Sequence, residues 1–279
     1  MRKYLIRISA IIGIAILFFT TYTAIVSFTL PQQDTTATAS SFKVRTIVID
    51  AGHGGKDPGA HGSYSVEKTV ALNIALKLRD AIHENYPGIK VIMTRADNTF
   101  IPLNHRSEIA NDANANLFIS IHCNSSPEGT ASIAHKQKGV MVLVYSYKRK
   151  GEQLEAVREN SSIYQEKNYK ETYESYDETD PVNQIVLNTY MQKYRKQSIL
   201  FGDLLMDQFK ATGNRVTLGV KEQSVLVLAH SGMPNVLIET GFINNPEEED
   251  YLNSASGQNE IVSSIVSAIG EYKNQVDSK

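Results

Sequence analysis

Hydrophobic residues recur along the chain with two different periods. Thr46–Asp50 (TIVID), Lys90–Thr94, Leu117–Ile121 (LFISI), Val140–Tyr145, Val225–Leu228 and Val236–Ile238 are short runs of mostly β-branched and aliphatic residues. Each reads as a buried strand. Between them the period lengthens. Val66–Tyr86 places Val70, Ile74, Leu78 and Ile82 on one face, with Ala71 and Ala75 beside it, and Pro87-Gly88 stops it. Pro102–Ala115 reads as a second helix, with Leu103, Ile109 and Ala110 as core candidates. Ile199–Phe209 is amphipathic, with Leu200, Leu204 and Leu205 inward. Asn259–Tyr272 closes the pattern, with Ile261, Ile265 and Ile269 at helical spacing. Strand–helix–strand order predicts βαβ units. The expected fold is α/β: a single domain with a mixed, mostly parallel sheet flanked by helices.

Two segments break this rhythm. Arg2, Lys3 and Arg7 precede an uncharged run from Ile8 to Leu30, near the ~20 residues that span a bilayer. The positive flank predicts a cytoplasmic N-terminus and export of the remaining chain to the periplasm or cell envelope. Residues 1–30 are therefore read as a signal peptide or an N-terminal hydrophobic anchor helix, with membrane attachment through 8–30. Ala37-Thr38-Ala39 offers a small-x-small cleavage pattern. Residues 31–42 form a polar linker, and 43–279 are left for the folded domain. The second break is an insertion at about 147–198, rich in Lys, Glu, Tyr, Asn and Asp. Asp177–Pro181 reads there as a helix stop and restart. Ile185, Leu187, Tyr190 and Met191 could make only a weak helix.

Composition narrows the function. The chain has 279 residues, 42% of them hydrophobic, enough for one sizeable core. A formal net charge of −2 supplies no basic field for nucleic acid. One cysteine excludes an intrachain disulfide framework.

The chemistry-bearing residues gather where hydrophobic runs end. His53 lies in a glycine-rich turn after Thr46–Asp50, and Glu67 sits in the first turn of the next helix. His122 ends the Leu117–Ile121 run, with Cys123 and Asn124 next, and Glu239 comes directly after Val236–Ile238. Strand ends are where α/β folds place their sites. Two histidines and one glutamate around an open fourth position form a common catalytic zinc shell. The other glutamate would be free to move protons. Each residue has a plainer reading. Gly55-Lys56 is followed by Asp57, so the turn fails the phosphate-loop pattern. Glu67 in a first helical turn is favoured by the helix dipole alone. His122 could be a satisfied core histidine, and Glu239 a buried carboxylate paired with Arg95 or another cation.

The stretches VIDAGHGGKDPGAHG, VEKTVALNIALKL, TRADNTFIPLNHRSEIANDANANLFISIHCN and PNVLIETGFINNPEEEDYL occur here in that order. Together they resemble the zinc-dependent N-acetylmuramoyl-L-alanine amidases (amidase_3, AmiA/AmiB/AmiC-like), from about Arg45 to Lys273. The resemblance implies one Zn²⁺ per chain, with His53, Glu67 and His122 as ligands and Glu239 as the catalytic carboxylate. It implies peptidoglycan as the substrate, cut between N-acetylmuramic acid and L-alanine, and a role in wall remodelling or daughter-cell separation. Some members carry an insertion helix that covers the metal, one Glu filling the open coordination position until a partner protein pulls it away. Arg158-Glu159-Asn160-Ser161 matches that segment. Glu159 is thus the candidate autoinhibitory ligand, and an activator acting on 147–198 the candidate partner. A solvated, charge-laced loop is the plain alternative. Arg95, Arg106 and Asn124 also match family positions, as ion-pair formers or substrate contacts. A zinc carboxypeptidase-like peptide hydrolase is the rival activity, because the same metal site would serve any amide.

Overall fold

The apolar runs pair into one six-stranded sheet of order β2-β1-β3-β6-β4-β5. The strands are β1 (Thr46–Ala51), β2 (Lys90–Met93), β3 (Leu117–Asn124), β4 (Val140–Tyr145), β5 (Thr217–Gln223) and β6 (Asn235–Phe242). β2, β1, β3 and β6 run parallel, while β4 pairs antiparallel with β6 and parallel with β5. The protein is a computed structural model described over residues 43–127, 135–146, 153–173 and 180–278. The expected hydrophobic segment 1–30 and linker 31–42 lie outside the described residues. Among the described residues no helix is long and apolar enough to cross a membrane.

Alternation along the strands gives the sheet two buried faces. On the first, Ile47, Ile49, Ile119, Ile121, Val142 and Ile238 meet three helices. These are α1 (Glu67–Asn85), the C-terminal half of α5 (Pro181–Gly213) and α8 (Ala255–Asp277). On the second, Val48, Phe118, Met141, Leu143 and Leu237 meet Leu103 of α2 (Leu103–Asp112), Ala156 of α3 (Leu154–Asn160) and Leu187 of α5. A 3-10 turn, Ser161–Gln165, and the short α4 (Tyr169–Thr172) come after α3.

Three local features depart from the sequence reading. Val225–Leu228, expected as a strand, is a helical turn, α6 (Leu226–Ala229). Its residues are apolar because they pack into the second face, with Val227 and Leu228 buried. The strand in that position is β5, an edge strand whose alternate residues face solvent, so no continuous apolar run marks it. The weak insertion helix and the Ile199–Phe209 helix form one 33-residue element, α5. No glycine or proline separates them until Gly202. Asp180 caps this helix, accepting from the Val182 and Asn183 amides, so the expected restart at Pro181 is where it begins. A further helix, α7 (Pro246–Asn253), starts at Asn245, whose side chain accepts from the Glu247 and Glu248 amides. From it Glu249 takes the amides of Ser63, Tyr64 and Ser65, fixing the loop that leads into Glu67.

Beneath the parallel half lies a buried ionic network. Asp50 on β1 accepts from Arg106 Nη1 (2.9 Å), Thr94 Oγ1 (2.6 Å) and Ser120 Oγ (2.6 Å). Arg106, only 1% exposed, also donates to the carbonyls of Ile101, Ala51 and His53. Arg95 donates to the carbonyls of Ala51, Gly52, Lys68 and Asp97. Both arginines therefore hold the backbone on either side of His53 and have little left for a substrate. Burial resists ionisation of Asp50, but Arg106, Ser120 and Thr94 hold its carboxyl below the usual range.

A folded pKa below the unfolded value of about 3.9 gives stability that is complete above that pH. It is lost as pH falls toward the folded value. Asp50→Asn is expected to destabilise the domain by about 3–5 kcal/mol, since it leaves Arg106 buried without its counter-ion. It should also flatten the acid limb of the stability profile, measured by urea unfolding between pH 3 and 7.

Candidate metal centre

The parallel strands β1, β3 and β6 bring their carboxyl ends side by side. His122 on β3 is in register with Glu239 on β6. Ile121 and Cys123 belong to the first-face core, so His122 between them turns to the second face. His53 lies just past β1 in a turn with φ of 58°, a left-handed conformation costly for a residue with a Cβ. The backbone bonds from Arg106 and Arg95 stabilise that turn. Glu67 opens α1, reached through the loop pinned by Glu249.

Four side chains converge. Donor-type atoms of His53, Glu67, His122 and Glu159 all lie within 4.8 Å of one another, and all four residues are buried. His53 Nε2 is 3.1 Å from Glu67 Oε2 and 3.4 Å from Glu159 Oε2. His122 Nδ1 is 3.0 Å from Glu67 Oε1 and 2.7 Å from Glu159 Oε2. His53 Nε2 and Glu159 Oε2 are buried, yet neither has a hydrogen bond of acceptable geometry. The four residues place two imidazoles and two carboxylates in one buried space. That is the donor set of a divalent-cation site, mixed nitrogen and oxygen.

The surroundings orient these donors. His53 Nδ1 meets Asp57 Oδ2 at 2.9 Å, which leaves Nε2 to face the cluster. Ser162, from the 3-10 turn, donates to the same Asp57 oxygen. Glu67 accepts from the Ala60 amide at 2.8 Å and from the Cys123 amide at 2.8 Å. Backbone and rings approach closely here. A Cβ on Gly52 would lie 2.4 Å from His122 Nε2, and one on Gly59 would lie 2.7 Å from Glu67 Oε2.

The electrostatics come from crowding. Burial opposes ionisation of Glu67, but His53 and His122 hold its carboxyl well below the usual range. Glu159 is likewise lowered, against burial, by His122 and Arg158. Burial disfavours the imidazolium, yet Glu159 and Glu67 push His122 up to about 9. Against the same burial, Glu67, Asp57 and Glu159 raise His53. Glu239 stands beside the cluster and is fully buried. Burial pushes its carboxyl up to about 8; Arg158 opposes this and Glu159 and Glu67 add to it. Its partner is Arg158, Nη2 to Oε1 at 2.6 Å, and not Arg95.

Of the residues singled out from sequence, His53, Glu67, His122 and Glu159 come together, with Glu239 adjacent. Asn124 lies on the same wall, its Oδ1 bonded to Arg158. Arg95 and Arg106 lie beneath the turn. Sequence reasoning missed Asp57, Ser162 and the role of Arg158. Asp57 carried a signal: a carboxylate four residues after a histidine in a glycine turn.

Fold and site together define an α/β protein with a divalent-cation donor set at the carboxyl edge of its sheet. Residues 47–271 match the family described as N-acetylmuramoyl-L-alanine amidase, and the chain belongs to that family. Its activity is hydrolysis of the amide between N-acetylmuramic acid and L-alanine. The amidase AmiA of Escherichia coli K12 is 30% identical over 240 residues, spanning 84% of this chain and 78% of that relative. The crystal structure of the amidase from Clostridium difficile 630 superposes with a TM-score of 0.61 at 25% identity, covering 83% of this chain and 98% of that one. The CwlD amidase from Clostridioides difficile, solved in complex with the GerS lipoprotein, gives 0.58 at 25% identity, over 83% and 99% of the two chains.

Asp57→Asn is expected to weaken cation binding by about 10- to 100-fold, the usual effect of losing such an orienting carboxylate. Competition with a chromogenic chelator measures it, and unchanged affinity would remove Asp57 from the site.

Proposed function

We propose that the chain is an exported, zinc-dependent peptidoglycan amidase held inactive by its own insertion. Residues 43–279 form its catalytic domain, and 147–198 its regulatory segment. His53, Glu67 and His122 hold one Zn²⁺, and Glu159 supplies a fourth protein donor. The supporting observation is the spacing of the four donors. Tetrahedral ligands about 2.0–2.2 Å from Zn²⁺ lie about 3.3–3.6 Å from each other. The closest contacts here, 2.7 to 3.4 Å, reach that range only at their upper end, and donor atoms of all four residues lie within 4.8 Å of one another.

When bound, the ion supplies Lewis acidity, polarising the scissile carbonyl and making water acidic enough to attack near neutral pH. The chain's own residues do the rest. Glu239, fully buried and pushed up toward neutrality, takes a proton from the attacking water and passes it to the departing nitrogen. Asp57 keeps His53 in the tautomer whose Nε2 faces the site. The buried floor of β3 and β6 keeps bulk solvent from that exchange.

The inhibitory reading rests on where α3 lies. It is anchored by the Ala156 amide to Gln223 Oε1 (2.8 Å), by Asn160 Nδ2 to the Ser224 carbonyl (2.8 Å) and by the Leu226 amide to Asn160 Oδ1 (2.8 Å). From there Glu159 fills the position an attacking water needs. The same helix exposes Leu154 (55%) and Val157 (68%). Isolated apolar residues on a surface need no explanation, but two on one short helix give an activating partner something to grip. The complex formed by the CwlD relative with a lipoprotein supports a protein partner of this kind. Export rests on the charged and apolar pattern of residues 1–30, and targeting to wall on the substrate.

Glu239→Gln is expected to lower muropeptide hydrolysis by about 10²- to 10⁴-fold, the range for loss of a general acid–base group, with metal content unchanged. Near-parental turnover in a zinc-replete preparation would sink its assigned role. Glu159→Ala should raise basal hydrolysis of purified sacculi by about tenfold or more, since it removes the donor that fills the open position and weakens the hold of the helix (each ~1.4 kcal/mol shifts the equilibrium tenfold). Zymography without any partner reads this directly, and unchanged activity would reduce the insertion to a surface loop.

A further inference from the structure

We infer that Glu239, Asn124 and the carbonyl of Ser125 form the subsite for the departing amine, and that the Arg158 guanidinium is an internal mimic of that amine. This rests on the proposed hydrolytic role of the site, in which Glu239 carries the proton.

The guanidinium shows where nitrogen donors are welcome. Its Nη2 meets Glu239 Oε1 at 2.6 Å, and its Nη1 meets Asn124 Oδ1 at 2.5 Å and the Ser125 carbonyl at 3.2 Å. Nε and Nη2 turn back to Glu159 Oε1, each at 2.8 Å. Glu159 arrives on the same helix as Arg158 and leaves with it. Three acceptors then remain, all from the sheet: the end of β3, the residue after it, and β6. Asn124 Oδ1 also accepts from the Ser125 amide at 2.7 Å, which fixes which end of the amide faces the recess. Glu239 is in register with His122 through the sheet. Two further buried atoms on this wall, Asn124 Nδ2 and Glu239 Oε2, have no hydrogen-bond partner among the described residues. Buried polar atoms are rarely left so, and two together mark a place that receives a ligand.

Two neutral acceptors beside an acid–base carboxylate select a group that gains N–H bonds and positive charge. Hydrolysis of a secondary amide creates such a group. The water oxygen bonds to the acyl carbon, and the C–N bond breaks with its electron pair staying on nitrogen. Glu239 hands nitrogen the first proton of the water. The second leaves the new carboxylic acid, so the products are a carboxylate and an ammonium. Nitrogen carries one N–H in the substrate, two when it departs as a neutral amine and three in the product. Acceptors that meet it therefore bind the transition state more tightly than the ground state. The alanine amine fits this description, and so does a guanidinium.

The test uses the full chain with Arg158→Ala and Glu159→Ala, so that the recess is open. Hydrolysis of purified muropeptide is monitored with methylguanidinium or tetramethylammonium added. The two share a charge, and only the first has N–H donors. Methylguanidinium is expected to inhibit about tenfold more strongly, as hydrogen bonds to charged groups imply. Adding Asn124→Ala should erase that preference and lower kcat about 10- to 100-fold with KM within about twofold, at unchanged zinc content. If that variant does not fold, Asn124→Asp keeps the acceptor oxygen, adds a charge, and should bind methylguanidinium more tightly. Equal inhibition by the two cations overturns the subsite, as does a preference that survives Asn124→Ala. Persisting hydrolysis after Glu239→Gln overturns the proton-carrying role of Glu239 instead, and is visible before any Asn124 variant is made.

Discussion

Glu67, Glu159 and Glu239 are buried in one small space with Asp57 just behind, and four carboxylates so placed repel one another unless cations stand between them. The groups that offset them are those the fold can bring there: the imidazoles of His53 and His122 from two strand ends, and the Arg158 guanidinium from the insertion. The arrangement of the surrounding chain answers that need. Each imidazole touches two or more carboxylates, and the one guanidinium bridges Glu159 and Glu239. A divalent ion meets the same requirement more strongly, because it places two positive charges among the donors.

The sheet supplies the rigidity this needs. Repulsive groups held together on loops would move apart. Here Glu239 and the imidazole of His122 are on central strands paired residue to residue, and Glu67 opens a helix whose approach loop is tied by Glu249. His53 is the exception, since it lies in a turn of unfavourable φ. Arg106 and Arg95 compensate by donating to the carbonyls of Ala51, Gly52 and His53 from beneath. Asp50 neutralises Arg106 in turn. The strain at the site is thus carried by a second buried charge network one layer down, which touches no cluster donor side chain.

Much of this was legible before any coordinates. β1, β3, β4, β6, α1, α2 and α8 are where apolar periodicity puts them, because each buries a full face and the code for that is simple repetition. β5 was not, since an edge strand with one wet face carries little apolar signal, while the Val225–Leu228 run is hydrophobic because it packs as a helical turn. The site divides in the same way. His53, His122 and Glu239 stand out because histidine and glutamate at the ends of apolar runs are unusual. Asp57 and Arg158 look like ordinary surface charges in sequence. Their importance appears only when Asp57 lies behind an imidazole and Arg158 in front of a carboxylate, contacts that span 4 and 81 positions of chain.

Arg158 and Glu159 are neighbours on one helix, so their side chains leave it about 100° apart. One short helix can therefore reach two targets at once, Glu159 the donor cluster and Arg158 the adjacent Glu239. Together the pair is neutral. Docking that pair adds no net charge to a crowded anionic space, and lifting it removes none. The Coulomb energy is instead local, in the close contacts of Glu159 with His122 and of Arg158 with Glu239. Beside those ion pairs stand other short-range contacts of the helix: the buried Ala156 and the bonds of Gln223 and Asn160, with Leu154 and Val157 exposed. In the proposed inhibited form, a partner that covers those two apolar side chains while straining the Asn160 contacts would act on the terms to which the helix is sensitive. Salt, which screens exposed charge but leaves buried ion pairs, apolar burial and short hydrogen bonds largely intact, would release it poorly.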